Sequence, residues 1–293
     1  MTSTALALVV LAGLIHAIWN IAAKKAGGDV RFVAFTALLM MLLWAPLGLW
    51  LGWDIVPRWG VQEWALVIAS GVVHVVYYIT LLRGYRKSDL TVVYPLARGS
   101  GPLLSSLVAL FLLGERLTLL GALGVAAVVG GVFLIAGGPG LFRAALDPVK
   151  KARVLAGMAY GLATGVLIAA YTVVDGYAVK VVLMSPILVD YFGNFVRLAL
   201  LVPPLLADRA TAAALWRTQW KYALAVALLS PISYVLVLFA MQTAPLSHVA
   251  PAREVSMLFA ALIGGQLLGE GDRLPRILGA ACIAFGVMAL ALG

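Results

Sequence analysis

The chain has 293 residues, 63% of them hydrophobic and only 11% charged, with a mean hydropathy of +1.05. A soluble domain of this size carries roughly 25% charged residues, so this chain lacks the polar surface to stay in water and is expected to be an integral membrane protein. The net charge of +9 does not point to nucleic acid, because the basic residues fall between apolar stretches, and the single cysteine, Cys282, excludes an internal disulfide.

A bilayer core of about 30 Å takes roughly 20 helical residues, and ten stretches fit that length. The first, 4–23, has no Lys or Arg ahead of its apolar run, which predicts a retained helix rather than a cleaved signal peptide. His16 and Asn20 share one of its faces at i, i+4 spacing, with Trp19 beside them. Spans at 32–52 and 62–82 follow, and the second of these clusters His74, Tyr77 and Tyr78. Aromatic rings with polar tips suit a pocket for an amphipathic or aromatic solute, and equally an interfacial belt.

The fourth span, 90–113, opens with LTVVYPLARGSGP. Arg98 is its ninth residue, roughly 13 Å into the core by the helical rise. A cation there costs at least about 2.5–3.5 kcal/mol on insertion scales, so it must face the bundle interior. Pro102 offers no N–H to the carbonyl of residue 98, Pro95 frees that of Thr91, and Gly99 and Gly101 loosen the helix further. Tyr94 precedes this hinge region.

Spans five to seven are expected at 117–137, 154–174 and 185–206. In the sixth, Gly157, Gly161 and Gly165 form a small-residue face for close packing, and Tyr171 and Asp175 come near its end. The seventh carries DYFGNFVR, in which Asp190, Asn194 and Arg197 share a face; an internal Asp–Arg arrangement is the first reading. The eighth, 220–240, holds Tyr234. The ninth, 247–268, repeats the fourth: LSHVAPARE has the same L-x-x-V, Pro and Ala-Arg, with Pro251 freeing the Ser247 carbonyl and Glu254 following Arg253. The tenth is 274–292.

Arg98 and Arg253 are 155 residues apart, as are Glu115 and Glu270, each read as a cap of the helix it precedes. The chain therefore divides into a first repeat at 1–138, a cytoplasmic linker at 139–153 and a second repeat at 154–293. Five spans per repeat send the second copy in from the opposite side, an inverted duplication with its site near the midplane. The expected fold is all-α, ten transmembrane helices as two inverted five-helix repeats around a central cavity.

Of the 21 Lys and Arg residues, fifteen sit in loops after odd-numbered spans, three on the other side, and Arg98, Arg197 and Arg253 within spans. The positive-inside rule puts the rich loops in the cytoplasm and both termini outside, in a bacterial inner membrane. For Arg98 two readings stand side by side: a guanidinium for a substrate carboxylate, or one neutralised by Glu254, Asp190 or Asp175. For Arg253 the structural reading leads. A metal site from His16, His74 and His248 is not expected, since no two are close in sequence and no carboxylate accompanies them.

HAIWN in the first span, RGYRKSDLTVVYPLARGSGPLL over 83–104 and LLGERL over 112–117 resemble the EamA-type carriers of the drug/metabolite transporter superfamily. The resemblance implies a basket of ten helices whose cavity is walled by spans three, four, eight and nine, with five and ten peripheral. It also implies export of amino acids and other small metabolites, with bacterial aromatic amino-acid exporters as the type to compare first. The second half departs from the pattern: it has APARE for YPLARG, and Tyr171 with Asp175 for Trp19 and the lysine region.

The expected function is secondary transport by alternating access. Arg98 would hold a carboxylate, and His16, Trp19, Asn20, His74, Tyr77, Tyr78, Tyr94, Tyr171, Tyr234 and Arg253 would line the site. A drug or other metabolite exporter, a passive channel and an intramembrane enzyme are the alternatives; neither a P-loop nor a paired catalytic motif is found. The partners are a small-molecule substrate and the bilayer, with no cofactor and a monomeric chain.

Overall fold

The computed structural model describes residues 1–27, 29–88, 90–135, 151–260 and 273–293. Most of the expected linker, Glu270 and the last eight residues of span nine lie outside them. Helix α1, Ser3–Ala26, starts where the Thr2 hydroxyl accepts from the Ala5 amide at 3.1 Å. It ends at Gly27, whose φ of 59° is the left-handed conformation that closes helices without a Cβ penalty. Helix α2, Val30–Gly52, is capped by Asp29, and α3, Val61–Lys87, by the Glu63 carboxylate on the Gly60 amide. Then come α4, Leu90–Leu112, α5, Leu119–Ile135, α6, Lys151–Lys180, and α7, Pro186–Ala207. They are followed by α8, Arg209–Thr243, α9, Leu246–Ala252, and α10, Arg273–Leu292.

Among the described residues seven of these helices are long and apolar enough to cross a membrane alone; α5 and residues 277–292 of α10 are apolar but shorter. Two departures from the expected spans have local causes. Helix α8 begins well before residue 220 because Asp208 caps it, accepting from the Thr211 amide at 3.0 Å, and its first turns are polar enough to stand in water. The ninth span is not one helix. Pro251 breaks the ladder, the backbone tightens through Glu254 N–H to Pro251 C=O at 2.9 Å and Ser256 N–H to Arg253 C=O at 3.1 Å, and helix resumes over 255–260.

The duplication is visible at residue level. Gly131 of α5 lies against Gly279 of α10, where a Cβ on either would fall 2.6 Å from the other's carbonyl oxygen; Gly124 and Gly286 form a second such pair. Residues 124 and 279, and 131 and 286, are each 155 apart in sequence, the spacing of Arg98 and Arg253. The contacts run antiparallel, so the equivalent helices α5 and α10 cross the membrane in opposite directions about a two-fold axis between them. The remaining pairings obey the same operation: α1 on α8 is matched by α6 on α3, α2 on α8 by α7 on α3, and α2 packs on α7.

Small residues set the approach of the inner helices. Gly157 lets α6 lie against Ser88 at the end of α3, Gly161 and Gly165 let it lie against Leu96 and Ser100 of α4, and Gly13 of α1 receives Val255 and Ser256 in the same way. Large apolar side chains point outward, with Phe111 83%, Leu119 79% and Leu42 63% exposed, as a lipid-solvated surface requires. The amine of Met1 donates to the Ala291 carbonyl at 2.8 Å, so both termini lie at one end of the bundle.

Candidate functional site

The polar residues singled out from the sequence converge on the bundle interior from seven elements. Helix α4 runs unbroken through Pro95, Gly99 and Pro102, and it carries Arg98 with only 8% of its surface exposed. Glu254, beyond the break in α9, meets that guanidinium at 2.9 Å, and Ser256 accepts from it at 3.0 Å. Arg98 and Glu254 thus join the two repeats. Their neighbour in sequence, Arg253, is directed elsewhere: its guanidinium carbon sits over the Tyr234 ring, 5.8 Å from the centroid, and forms no ion pair among the described residues. The turn after Pro251 is what sends adjacent Arg253 and Glu254 to different partners.

A second ion pair stays within one helix, as the i, i+7 spacing predicted. Arg197 donates to the Asp190 carboxylate at 3.0 Å and to its backbone carbonyl at 3.3 Å, and Asn194 donates to the Ala37 carbonyl of α2 at 3.0 Å. Asp175, 1% exposed on α6, accepts the hydroxyl of Tyr234; its other oxygen is buried without a hydrogen bond. It has no ion-pair partner among the described residues.

Aromatic rings surround these charges. His74 stacks on Tyr171 with centroids 4.0 Å apart and meets Tyr234 edge-on at 5.8 Å. Its Nδ1 lies 2.9 Å from the Ser70 carbonyl, which places a proton on that nitrogen. Tyr77 packs against Tyr78 at 4.9 Å and Tyr171 at 5.8 Å, while His16 and Trp19 form an edge-to-face pair at 4.6 Å. Tyr94, Tyr77 and Tyr171 lie within electrostatic reach of Arg98, and His16 within reach of both Arg98 and Arg253. Asn20 donates its amide to the His16 carbonyl at 2.9 Å.

Tyr77, Tyr78, Tyr94, Tyr234, Arg253, His16 and Trp19 lie deep in the bundle, yet each keeps accessible surface. Three buried donors among the described residues have no acceptor: Trp19 Nε1, Arg98 Nε and Arg197 Nε. An interior lined by rings and by a guanidinium without an ion pair among the described residues is suited to an anionic group carried on an apolar body.

Several contributors have no conspicuous sequence signal. Ser70, Ser256 and Ser233, which donates to the Ala12 carbonyl at 2.9 Å, read as ordinary polar residues of apolar spans. Their depth in the membrane is the signal that was available. Glu115 caps a helix other than the one expected. It accepts from the Leu246 and Ser247 amides at 2.8 and 2.9 Å, the N-terminus of α9 in the other repeat, and from Lys180 at 2.8 Å. A crevice of about 210 Å³ between α2, α7 and α8, lined by Met40, Trp44, Tyr191 and Val235, reaches Asp190 and Asn194 from the side.

The sequence profile described as EamA-like transporter family matches residues 3–137 and 155–292. No curated protein matches the chain. A solved crystal structure of a protein 17% identical in sequence superposes with a TM-score of 0.74, over 100% of this chain and 98% of that one. At that identity the likeness concerns the fold alone.

Proposed function

This chain belongs to the EamA-like transporter family, whose members move small substrates across membranes, and we propose that it is a secondary carrier exporting amino acids or related small metabolites by alternating access. Aromatic and other neutral amino acids are the first class. The observation that carries this reading is Arg253: an intramembrane guanidinium without an acidic partner among the described residues, set against the ring of Tyr234 and close to Tyr171. A substrate carboxylate supplies the missing anion and an aromatic or apolar side chain fills the surrounding rings. Arg98 and Glu254 tie α4 to the broken ninth span, and the break gives that span two segments that move separately as the cavity changes sides.

The crevice between α2, α7 and α8 favours a second reading, a lipophilic drug or metabolite entering from the side, because its lining is almost wholly apolar. Under either reading the Lys- and Arg-rich loops face the cytoplasm of a bacterial cell, both termini face outward across its inner membrane, and one chain closes the cavity as a monomer.

Counterflow tests the proposal. Purified protein in liposomes loaded with unlabelled amino acids should accumulate trace labelled ones selectively and saturably, and Arg253→Ala should lower that accumulation about tenfold or more while the variant still inserts. Folded protein that accumulates none of the amino acids refutes the amino-acid assignment, and accumulation of lipophilic cations or drugs would then support the second reading.

A further inference from the structure

The interior acids among the described residues are Asp175, Asp190 and Glu254, and the interior arginines are Arg98, Arg197 and Arg253. Two of each are matched, Glu254 with Arg98 at 2.9 Å and Asp190 with Arg197 at 3.0 Å. The two left over, Asp175 and Arg253, address the same side chain. Asp175 takes the hydroxyl of Tyr234, and Arg253 lies over its ring. One unmatched acid and one unmatched base are held apart by a single tyrosine.

Resting on the amino-acid reading, we propose that Asp175 and Arg253 are the two poles of a zwitterion site: Arg253 takes the substrate carboxylate, and Asp175 takes the ammonium in place of the Tyr234 hydroxyl while giving up a proton. A carboxyl group 1% exposed, with one oxygen unbonded and no cation in ion-pair range among the described residues, is costly to hold as an anion, and in this proposal it carries the exchangeable proton while no substrate is bound. Polar groups face it from four helices. From α3 come Ser70 and His74, the latter bound to the Ser70 carbonyl; from α7, Arg197 and Asp190, already paired; from α8, Tyr234; and from α6 itself, Tyr171, stacked on His74. Arg98 of α4 and Glu254 beyond α9 are matched to each other.

The balance is simple. An arriving ammonium stabilises the Asp175 carboxylate, the O–H proton leaves to water in the open cavity, and substrate and proton occupy the acid in turn. After the zwitterion departs on the other side, the carboxylate takes a proton there. The cycle exchanges a proton for a substrate, which an inward proton gradient drives toward export.

Three probes separate the poles in proteoliposome counterflow: L-phenylalanine, 3-phenylpropanoate without the ammonium, and 2-phenylethylamine without the carboxylate. Wild-type protein should prefer L-phenylalanine over either by about tenfold or more, the scale of one charge-assisted contact. Asp175→Asn, which keeps the Tyr234 hydrogen bond, should lose the preference over 3-phenylpropanoate and keep the one over 2-phenylethylamine; Arg253→Gln should do the reverse. Wild-type protein alone gives a second reading, since L-phenylalanine added in weakly buffered detergent solution should release protons. Binding without proton release, or variants that weaken all three probes alike, overturns the zwitterion site and leaves amino-acid transport standing. Absence of counterflow for every amino acid removes both.

Discussion

The hydroxyl of Ser106 donates to the carbonyl oxygen of Ser247 at 3.0 Å, and that carbonyl is the one Pro251 strands four residues further along α9. Trp44 does the same for α8, its indole N–H meeting the Ala227 carbonyl freed by Pro231 at 3.0 Å. In a bilayer a broken helix persists only where neighbouring protein satisfies the freed backbone, and here the neighbour belongs to the other repeat. Ser106→Ala should therefore cost about 1–3 kcal/mol by orphaning a buried acceptor. Pro251→Ala returns an N–H to Ser247, so the double variant should lose less than the sum of the single losses. Thermal unfolding in detergent measures all three; strictly additive losses would remove Ser106 from this role.

The axis between α5 and α10 makes a sharper prediction about glycine. An alanine at 131 or 279 drives a methyl group into a backbone oxygen 2.6 Å away, where no side chain is free to give. Each should lower stability by at least about 1–3 kcal/mol. Gly130 is the control, because nothing lies within 4 Å of the place a Cβ would take there; Gly130→Ala should be neutral or gain up to about 1 kcal/mol. Equal melting temperatures for the two adjacent variants would contradict the close pairing.

The fold was legible because it is written in one dimension. Apolar length announces each crossing, and a spacing of 155 residues links Arg98 to Arg253; the same spacing links Gly124 to Gly279 and Gly131 to Gly286, a further signal of the repeat. The candidate residues were legible through the cost of placing charge in a membrane. Their partners were not. Glu254 follows Arg253 in sequence yet pairs with Arg98, because the turn after Pro251 changes its direction. Asp175 meets Tyr234 across two helices, and no local periodicity reports such a contact. A proline tells which carbonyl is stranded, but only packing tells which donor arrives.

The pairing of Arg98 with Glu254 predicts an asymmetry between breaking it and replacing it. Removing one partner leaves a charge buried and unmatched, at a cost of about 3–5 kcal/mol, whereas an apolar pair of similar volume is tolerated far better. Glu254→Gln and Arg98→Ala should each destabilise the protein strongly and abolish or re-specify transport. The double variant Arg98→Met with Glu254→Met should recover most of the melting temperature without recovering transport, if the pair also tunes the cavity. Full transport by the double variant would make the pair purely structural.

Glu115 links the repeats outside the spans, and its chemistry fixes how that link responds to acid. Burial alone would raise its pKa, but the Lys180 ammonium and the Ser247 and Leu246 amides outweigh burial and hold it below its ordinary 4.5. A carboxylate whose folded value is depressed contributes its full stabilisation above the unfolded value and loses it as pH falls through the folded one. Wild-type thermal stability should therefore decline as pH drops below 4.5, while Glu115→Gln should be less stable near neutrality, by about 1–2 kcal/mol for a lost helix cap, and should lack that part of the decline. Lys180→Met should move the decline toward higher pH, because one of the groups that depress the Glu115 pKa is gone. The measurement is a series of melting curves in detergent across the acid range, and parallel curves for wild type and Glu115→Gln would show that the α9 N-terminus is held by other contacts.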